Sequence, residues 1–204
     1  MLERTEIDRF LRILSRELSA PATVILTGGS EAMLLGGARP TGDIDFQLVL
    51  SRRARRRAGA VEQAVAAAAE ECAVAVQWSE DVDRWSAVSV PRRHRRTVPH
   101  RRYGRLTVRL LEPTCWAVYK LARYLEPDLE DLRAVLRRQR VDAGRLARLC
   151  GEALRGSPRS TALFQFRRHV EDFLGRHGRA VWGRRFDPDA AVAIFHRAAG
   201  IPSR

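Results

Sequence analysis

The sequence predicts an α+β chain in which a strand-containing first part is followed by a wholly helical lobe. Three observations point there. Alternating or β-branched runs at 23–27, 43–50 and 106–111 have the period of strands. Beyond Pro113 every periodic segment has helical spacing. No internal repeat or long low-complexity linker intervenes, so Pro113 marks a change of lobe within one folded unit of 204 residues.

Along the chain, Ile7, Phe10, Leu11, Leu14 and Leu18 recur at helical spacing over 6–18, and Pro21 ends that helix. The run 23–27 stops at Gly28-Gly29, and Ser30 stands where it can cap a helix over 31–35. Residues 36–42 read as a loop. In 43–50, Ile44, Phe46, Leu48 and Leu50 face one way, and Asp43, Asp45 and Gln47 the other. Residues 52–72 read as one helix, 74–78 as a third strand and 86–90 as a fourth. Two prolines, two histidines and many arginines over 91–104 predict an exposed turn or long hairpin loop. The last strand is 106–111, and helices are expected over 114–124, 129–138, 143–154, 161–176 and 188–199.

The formal net charge of +13 and a pI near 11.2 predict a surface that attracts polyanions, because neutralising phosphates releases condensed counterions. Nucleic acid is a natural partner, although arginines on solvated faces also account for such a composition. Of the 37 basic residues, all but Lys120 are arginine. A compact ammonium that must reach one phosphate is not interchangeable with a planar fork, which singles Lys120 out. Cys72, Cys115 and Cys150 are odd in number and outside any ligand spacing, so neither disulfides nor zinc are expected. No apolar run approaches the roughly 18 to 20 residues that span a bilayer, and the N-terminus opens a charged amphipathic stretch. A cytoplasmic protein without a membrane partner is expected.

Asp43-Ile44-Asp45 carries the chemistry. On a strand, residues two apart share a face, so both carboxylates project into one site. Like charges held that close repel, and a divalent cation bound through oxygen removes the penalty; Mg2+ is the direct inference. A bare Asp-x-Asp is equally a pair of solvated surface carboxylates, so context matters. Gly28-Gly29-Ser30 follows a strand and opens a helix, where unpaired N–H groups and the helix dipole favour a phosphate. It is neither a Walker loop nor a dinucleotide fingerprint. A phosphate cradle beside a divalent metal is the equipment for phosphoryl or nucleotidyl transfer from an NTP.

The stretch 27–46, with Gly28, Gly29, Ser30, Arg39, Thr41, Asp43 and Asp45, resembles the opening of minimal nucleotidyltransferases of the DNA polymerase β superfamily. More narrowly, it is similar to the branch containing AbiEii-like and MenT-like toxins and related bacterial nucleotidyltransferases. There a Gly-Gly turn precedes Arg-x-Thr-x-Asp-x-Asp, and a later helical lysine precedes Asp-apolar-x-Asp. Here Lys120 and Asp128-Leu129-Glu130-Asp131 match, so the resemblance covers the first fifty residues and 113–136.

The resemblance implies a nucleotidyltransferase fold, a small mixed sheet flanked by helices. Residues 1–112 would be the catalytic core, and 113–204 a helical lobe contributing Lys120 and Asp131 to the site. It implies Mg2+-dependent transfer of NMP from an NTP to an acceptor hydroxyl. Asp43 and Asp45 would hold Mg2+, Gly28, Gly29 and Ser30 would meet the triphosphate, and Arg39 and Thr41 would shape the nucleotide loop. Lys120 would contact phosphate, and Asp131 would orient or deprotonate the attacking group; Asp128 either joins it or caps the helix beginning there.

The acceptor suggested is the 3′ end of a tRNA, as for a toxin of a toxin–antitoxin pair. Antitoxin-type relatives instead transfer AMP to a protein hydroxyl, and a silent nucleic-acid- or partner-binding protein keeping the fold for its basic surface, with an acidic cognate antitoxin as its companion, is the third reading. Two features depart from the pattern. A third carboxylate common in the superfamily is missing from 106–111, where Thr107 and Arg109 stand, with Glu112 at the end. Twelve residues separate Ser30 from Asp43, more than in the small antitoxin-type enzymes. RNA backbone could lie across Arg52, Arg53, Arg55, Arg56 and Arg57, and across Arg92, Arg93, Arg95, Arg96, Arg101 and Arg102 in the expected loop, with His94 and His100. Trp78, Trp85, Trp116 and Trp182 are expected in cores or interfaces.

Overall fold

A computed structural model of the chain describes residues 1–37, 39–81, 86–91 and 96–202, with the backbone alone for Arg53 and Ala54. The architecture is α+β and divides into two compact units. The first is Met1–Leu34, Ala38–Val82 and Thr97–Leu111; the second is Leu35–Gly37, Asp83–Arg96 and Glu112–Arg204.

In the first unit the elements run α1 (Arg4–Glu17), β1 (Ala22–Leu26), α2 (Gly28–Leu35), β2 (Asp43–Leu50), α3 (Arg52–Arg55), α4 (Ala58–Cys72), β3 (Ala75–Ser79), β4 (Thr97–Tyr103) and β5 (Leu106–Leu111). The five strands form one mixed sheet in the order β3-β2-β1-β5-β4. β1 is central, antiparallel to β2 and parallel to β5, so Val24 pairs with Leu48 on one side and Val108 on the other. Strand alternation sorts the faces: Ile44, Phe46 and Leu48 are fully buried, while Asp43, Asp45 and Gln47 are half-buried on the opposite face. The Phe10 ring of α1 packs 5.8 Å from that of Phe46, which puts α1 on the apolar face. Each such buried side chain contributes about 1.5–3 kcal/mol.

Several sequence expectations are corrected here. Residues 86–90 form no strand; the fourth strand is β4, inside the segment expected to be a loop. Its arginines and Pro99 suppress the strand signal, but β4 is an edge strand hairpinned to β5, and the register shifts between Pro99 and Arg101, where an edge tolerates the missing N–H. Gly104, at φ +46°, turns the hairpin. The helix expected over 52–72 is broken between α3 and α4 at Arg56 and Arg57. Ser30 is not a cap, because α2 begins two residues earlier and the Ser30 hydroxyl donates to the Thr27 carbonyl (2.9 Å).

The second unit is helical: α5 (Pro113–Arg123), α6 (Glu126–Arg138), α7 (Ala143–Gly156), α8 (Thr161–Asp172), α9 (Gly178–Trp182) and α10 (Pro188–Ala199). The helix expected over 161–176 passes at Phe173–His177 into a π-helical turn before α9. Three helix starts are capped by acidic side chains: Glu112 accepts from Thr114 N with Pro113 in the first turn, Asp142 from Arg145 N (2.7 Å), and Asp187 from Asp189 N and Ala190 N. α7 and α10 approach closely at Gly151, where an added Cβ would stand 2.5 Å from the Phe195 carbonyl. Among the described residues, no helix is long and apolar enough to cross a membrane.

Candidate functional site

The sheet of the first unit brings the glycine turn and the acidic pair together. The Thr27 N–H donates to the Asp45 carbonyl (2.9 Å), so the pairing of β1 with β2 continues into the turn and draws Gly28 beside Asp45. Gly28 has φ +63°, and any Cβ there would overlap an Asp45 carboxylate oxygen. Only glycine fits both the backbone angle and the space. A Cβ on Gly29 would lie 2.5 Å from Thr41 Oγ and within 3.8 Å of the Arg39 guanidinium.

Thr41 ties the parts together. It is buried, its carbonyl accepts from Leu2 N (2.6 Å), and its hydroxyl donates to Asp43 Oδ1 (3.5 Å). Gln77, the Cα partner of Asp45 on β3, donates to Asp43 Oδ2 (3.3 Å). Gly28, Gly29, Arg39, Thr41, Asp43 and Asp45 thus converge on one corner of the sheet, at the N-terminus of α2. Ser30 differs from expectation: it is 0 % exposed and its hydroxyl is turned inward to the carbonyls of Thr27 and, at 3.4 Å, Asp45. Only its backbone is left for an anion at the helix start.

Two carboxylates on one half-exposed face, beside a backbone cradle that a Cβ would fill, fit Mg2+. That ion takes one or two protein carboxylates and completes its shell with phosphate oxygens and water. The pair does not fit zinc, which needs three or four nitrogen, sulfur or oxygen ligands from the protein. Among the described residues, no cluster of three or more His, Cys, Asp or Glu is placed to hold a metal. Cys72, Cys115 and Cys150 form no disulfide, and burial pushes the Cys115 thiol up to about 11.

In the second unit, Lys120 is 4 % exposed and donates to Asp128 Oδ1 (2.8 Å) and Asp131 Oδ2 (2.9 Å). Its ammonium lies 5.6 Å from the centre of the buried Trp116 ring. Arg123 adds two bonds to Asp128, and the Leu125 N–H donates to the same carboxylate (3.2 Å), so Asp128 both pairs with cations and closes the first turn of α6. Burial pushes the Asp128 carboxyl up, but Arg123 and Lys120 outweigh it and hold its pKa below the ordinary carboxylate value. Two of the three N–H donors of the Lys120 ammonium are thus committed to carboxylates.

Arg52, Arg56 and Arg96 are exposed, Arg55 pairs with Glu80 (2.9 Å), and Arg101 and Arg102 lie on β4 rather than on a loop, as does His100. Arg92, Arg93, His94, Arg95, Trp85 and the Arg53 side chain lie outside the described residues. Trp116 is core, whereas Trp78 and Trp182 are half-buried. Sequence reasoning passed over Gln77, which a period-two reading of β3 against β2 would have aligned with Asp45. It also passed over Glu31, a fully buried acid in the first turn of α2. Comparison with protein-family models, with curated proteins and with solved structures gives no match to this chain.

Proposed function

We propose that the chain is a Mg2+-dependent nucleotidyltransferase that moves NMP from an NTP to an acceptor hydroxyl. The observation that carries this reading is the contact of Gly28 with Asp45, which sets the N–H groups opening α2 directly beside the acidic pair. Asp43 and Asp45 would hold the ion, with Thr41 and Gln77 orienting Asp43. When bound, Mg2+ would neutralise triphosphate charge and polarise the phosphate under attack. The backbone at Gly28 and Gly29 would seat phosphate oxygens, and Arg39 would add a guanidinium beside them.

In the reaction the acceptor oxygen bonds to the α-phosphorus, the bond to the pyrophosphate oxygen breaks, and the acceptor proton passes to a base. The resemblance assigns that base to Asp131 and a phosphate contact to Lys120. The acceptor it favours is the 3′ end of a tRNA, as for a toxin paired with an acidic antitoxin. A second reading, a silent nucleic-acid-binding protein of the same fold, is favoured by the commitment of Lys120 to two carboxylates.

Each α-labelled NTP, Mg2+ and either total tRNA or cell protein would be incubated with wild type, Asp43→Asn and Asp45→Asn, and with Lys120→Met and Asp131→Asn. Label on RNA with wild type, lost in both first variants by a factor of at least about 100, is the expected result. Label on protein instead replaces the acceptor with a protein hydroxyl. No label on either, with RNA binding unchanged by both aspartate substitutions, refutes the enzyme and leaves the second reading.

A further inference from the structure

In the first unit a cavity of about 690 Å³ lies between α1 and β4, on the side of α1 turned away from the sheet core. Arg4, Arg9, Arg12 and Arg16 reach it from α1 and Arg101 from β4, against the carboxylates of Asp8 and Glu71. Four of these guanidinium groups, all but that of Arg16, are held in place with little neutralisation. Arg4 donates to the Met33 carbonyl (2.6 Å) and Arg9 to the Glu71 carbonyl (3.1 Å). Arg12 and Arg101 share the single carboxylate of Asp8, at 2.5 and 3.1 Å, and the Tyr103 hydroxyl donates to the same group. Arg16 is exposed and makes no ion pair among the described residues. A carbonyl fixes a guanidinium without cancelling its charge, so the groove keeps a net positive field and pre-set forks.

We propose that this groove docks the sugar–phosphate backbone of an RNA strand. At 1.5 Å rise per residue, Arg9 and Arg16 stand about 10 Å apart along α1, a row long enough to meet successive phosphates. The chemistry favours a nucleic acid over an acidic protein segment. Ile7, Leu11 and Ile13 contribute to the lining but are at most 4 % exposed, and Leu34 is half-buried, so the groove offers charge with a single partly open apolar side chain rather than apolar pockets. Protein partners are held mainly by buried anchors in such pockets, whereas a phosphate backbone is held by charge and forked hydrogen bonds. The surface is separate from the Asp43 and Asp45 corner, because α1 packs on the opposite face of the sheet. The inference requires no nucleotidyl transfer.

The test is fluorescence anisotropy of a labelled single-stranded RNA across a salt titration. The triple variant Arg9→Gln, Arg12→Gln, Arg16→Gln is compared with Arg159→Gln, Arg168→Gln, Arg184→Gln, which removes the same charge from exposed positions of the second unit. The groove variant is expected to bind at least about tenfold more weakly, with the slope of log K against log salt reduced by about 0.7 per lost phosphate contact. The control triple is expected to keep most of the affinity and slope. Arg16→Glu, at an exposed position, carries the same expectation if the triple fails to fold. Equal losses in both triples, or wild-type binding by the groove variants, overturn the proposal. A poly-glutamate peptide that binds more tightly than RNA through the same arginines also overturns it, in favour of an acidic protein partner.

Discussion

Replacing Gly28 with alanine sets a methyl group where an Asp45 carboxylate oxygen stands, at a backbone angle of φ +63°. Two costs add. An L-residue in the left-handed region loses roughly 1–2 kcal/mol. Turning Asp45 off its rotamer to clear the methyl costs a further 0.5–1.5 kcal/mol or so. The sum of about 1.5–3.5 kcal/mol lowers the melting temperature by roughly 3–14 °C for a chain of this size. Gly42→Ala is the matched control, since nothing lies within 4 Å of a Cβ there, and a shift within about 0.5 kcal/mol is expected. Thermal unfolding by circular dichroism reads the stability, and calorimetric titration with Mg-NTP reads the site. On the proposed function, displacing the carboxylate by about an ångström weakens transfer on the order of 100-fold. A Gly28→Ala protein that melts with wild type refutes the packing argument. One that is destabilised as expected but binds Mg-NTP like wild type refutes the placement of nucleotide at this turn.

Further outcomes follow from the second unit. Lys120→Met leaves the 2 %-exposed Asp131 without its ammonium, and a loss of about 3–5 kcal/mol in urea unfolding is expected; a loss under about 1 kcal/mol removes any structural role for the lysine. Because the folded pKa of Asp128 is depressed, its contribution is fully present above the unfolded value near 3.8 and is lost as pH falls through the folded value. The stability gap between wild type and Asp128→Asn should therefore stay constant near neutrality and shrink only below about pH 4. Gly151→Ala, favourable by helix propensity, should instead cost about 1–3 kcal/mol, because its methyl meets the Phe195 carbonyl and lies 2.6 Å from Ala198 Cβ.

Much of this arrangement is written in local sequence, and the exceptions have a common cause. β2 was readable because one face is fully buried, so Ile44, Phe46 and Leu48 alternate cleanly with Asp43, Asp45 and Gln47. α5, α7 and α10 were readable because their apolar residues recur at helical spacing and are the ones the structure buries. β4 was not, since its strand character comes from pairing with β5 and its middle residues, 99–102, are a proline, a histidine and two arginines. The rarity of Lys120 drew attention to it, but its burial between Asp128 and Asp131 depends on how α5 packs on α6. The convergence of Gly28 on Asp45 was expected from neighbouring strands; the inward turn of Ser30 follows from α2 starting at Gly28, which no residue pattern announced.

The outer border of β4 bears on how copies of this molecule behave at high concentration. Pro99 offers no amide hydrogen, the following residues slip out of step with β5, and the exposed Arg102 brings a cationic head to this strand. Two such margins meeting side by side would bring like charges together and lack the regular ladder that growing fibrils copy. Lateral stacking of molecules through that side of the sheet is thereby disfavoured, and raised ionic strength, by screening the guanidinium groups, weakens that protection.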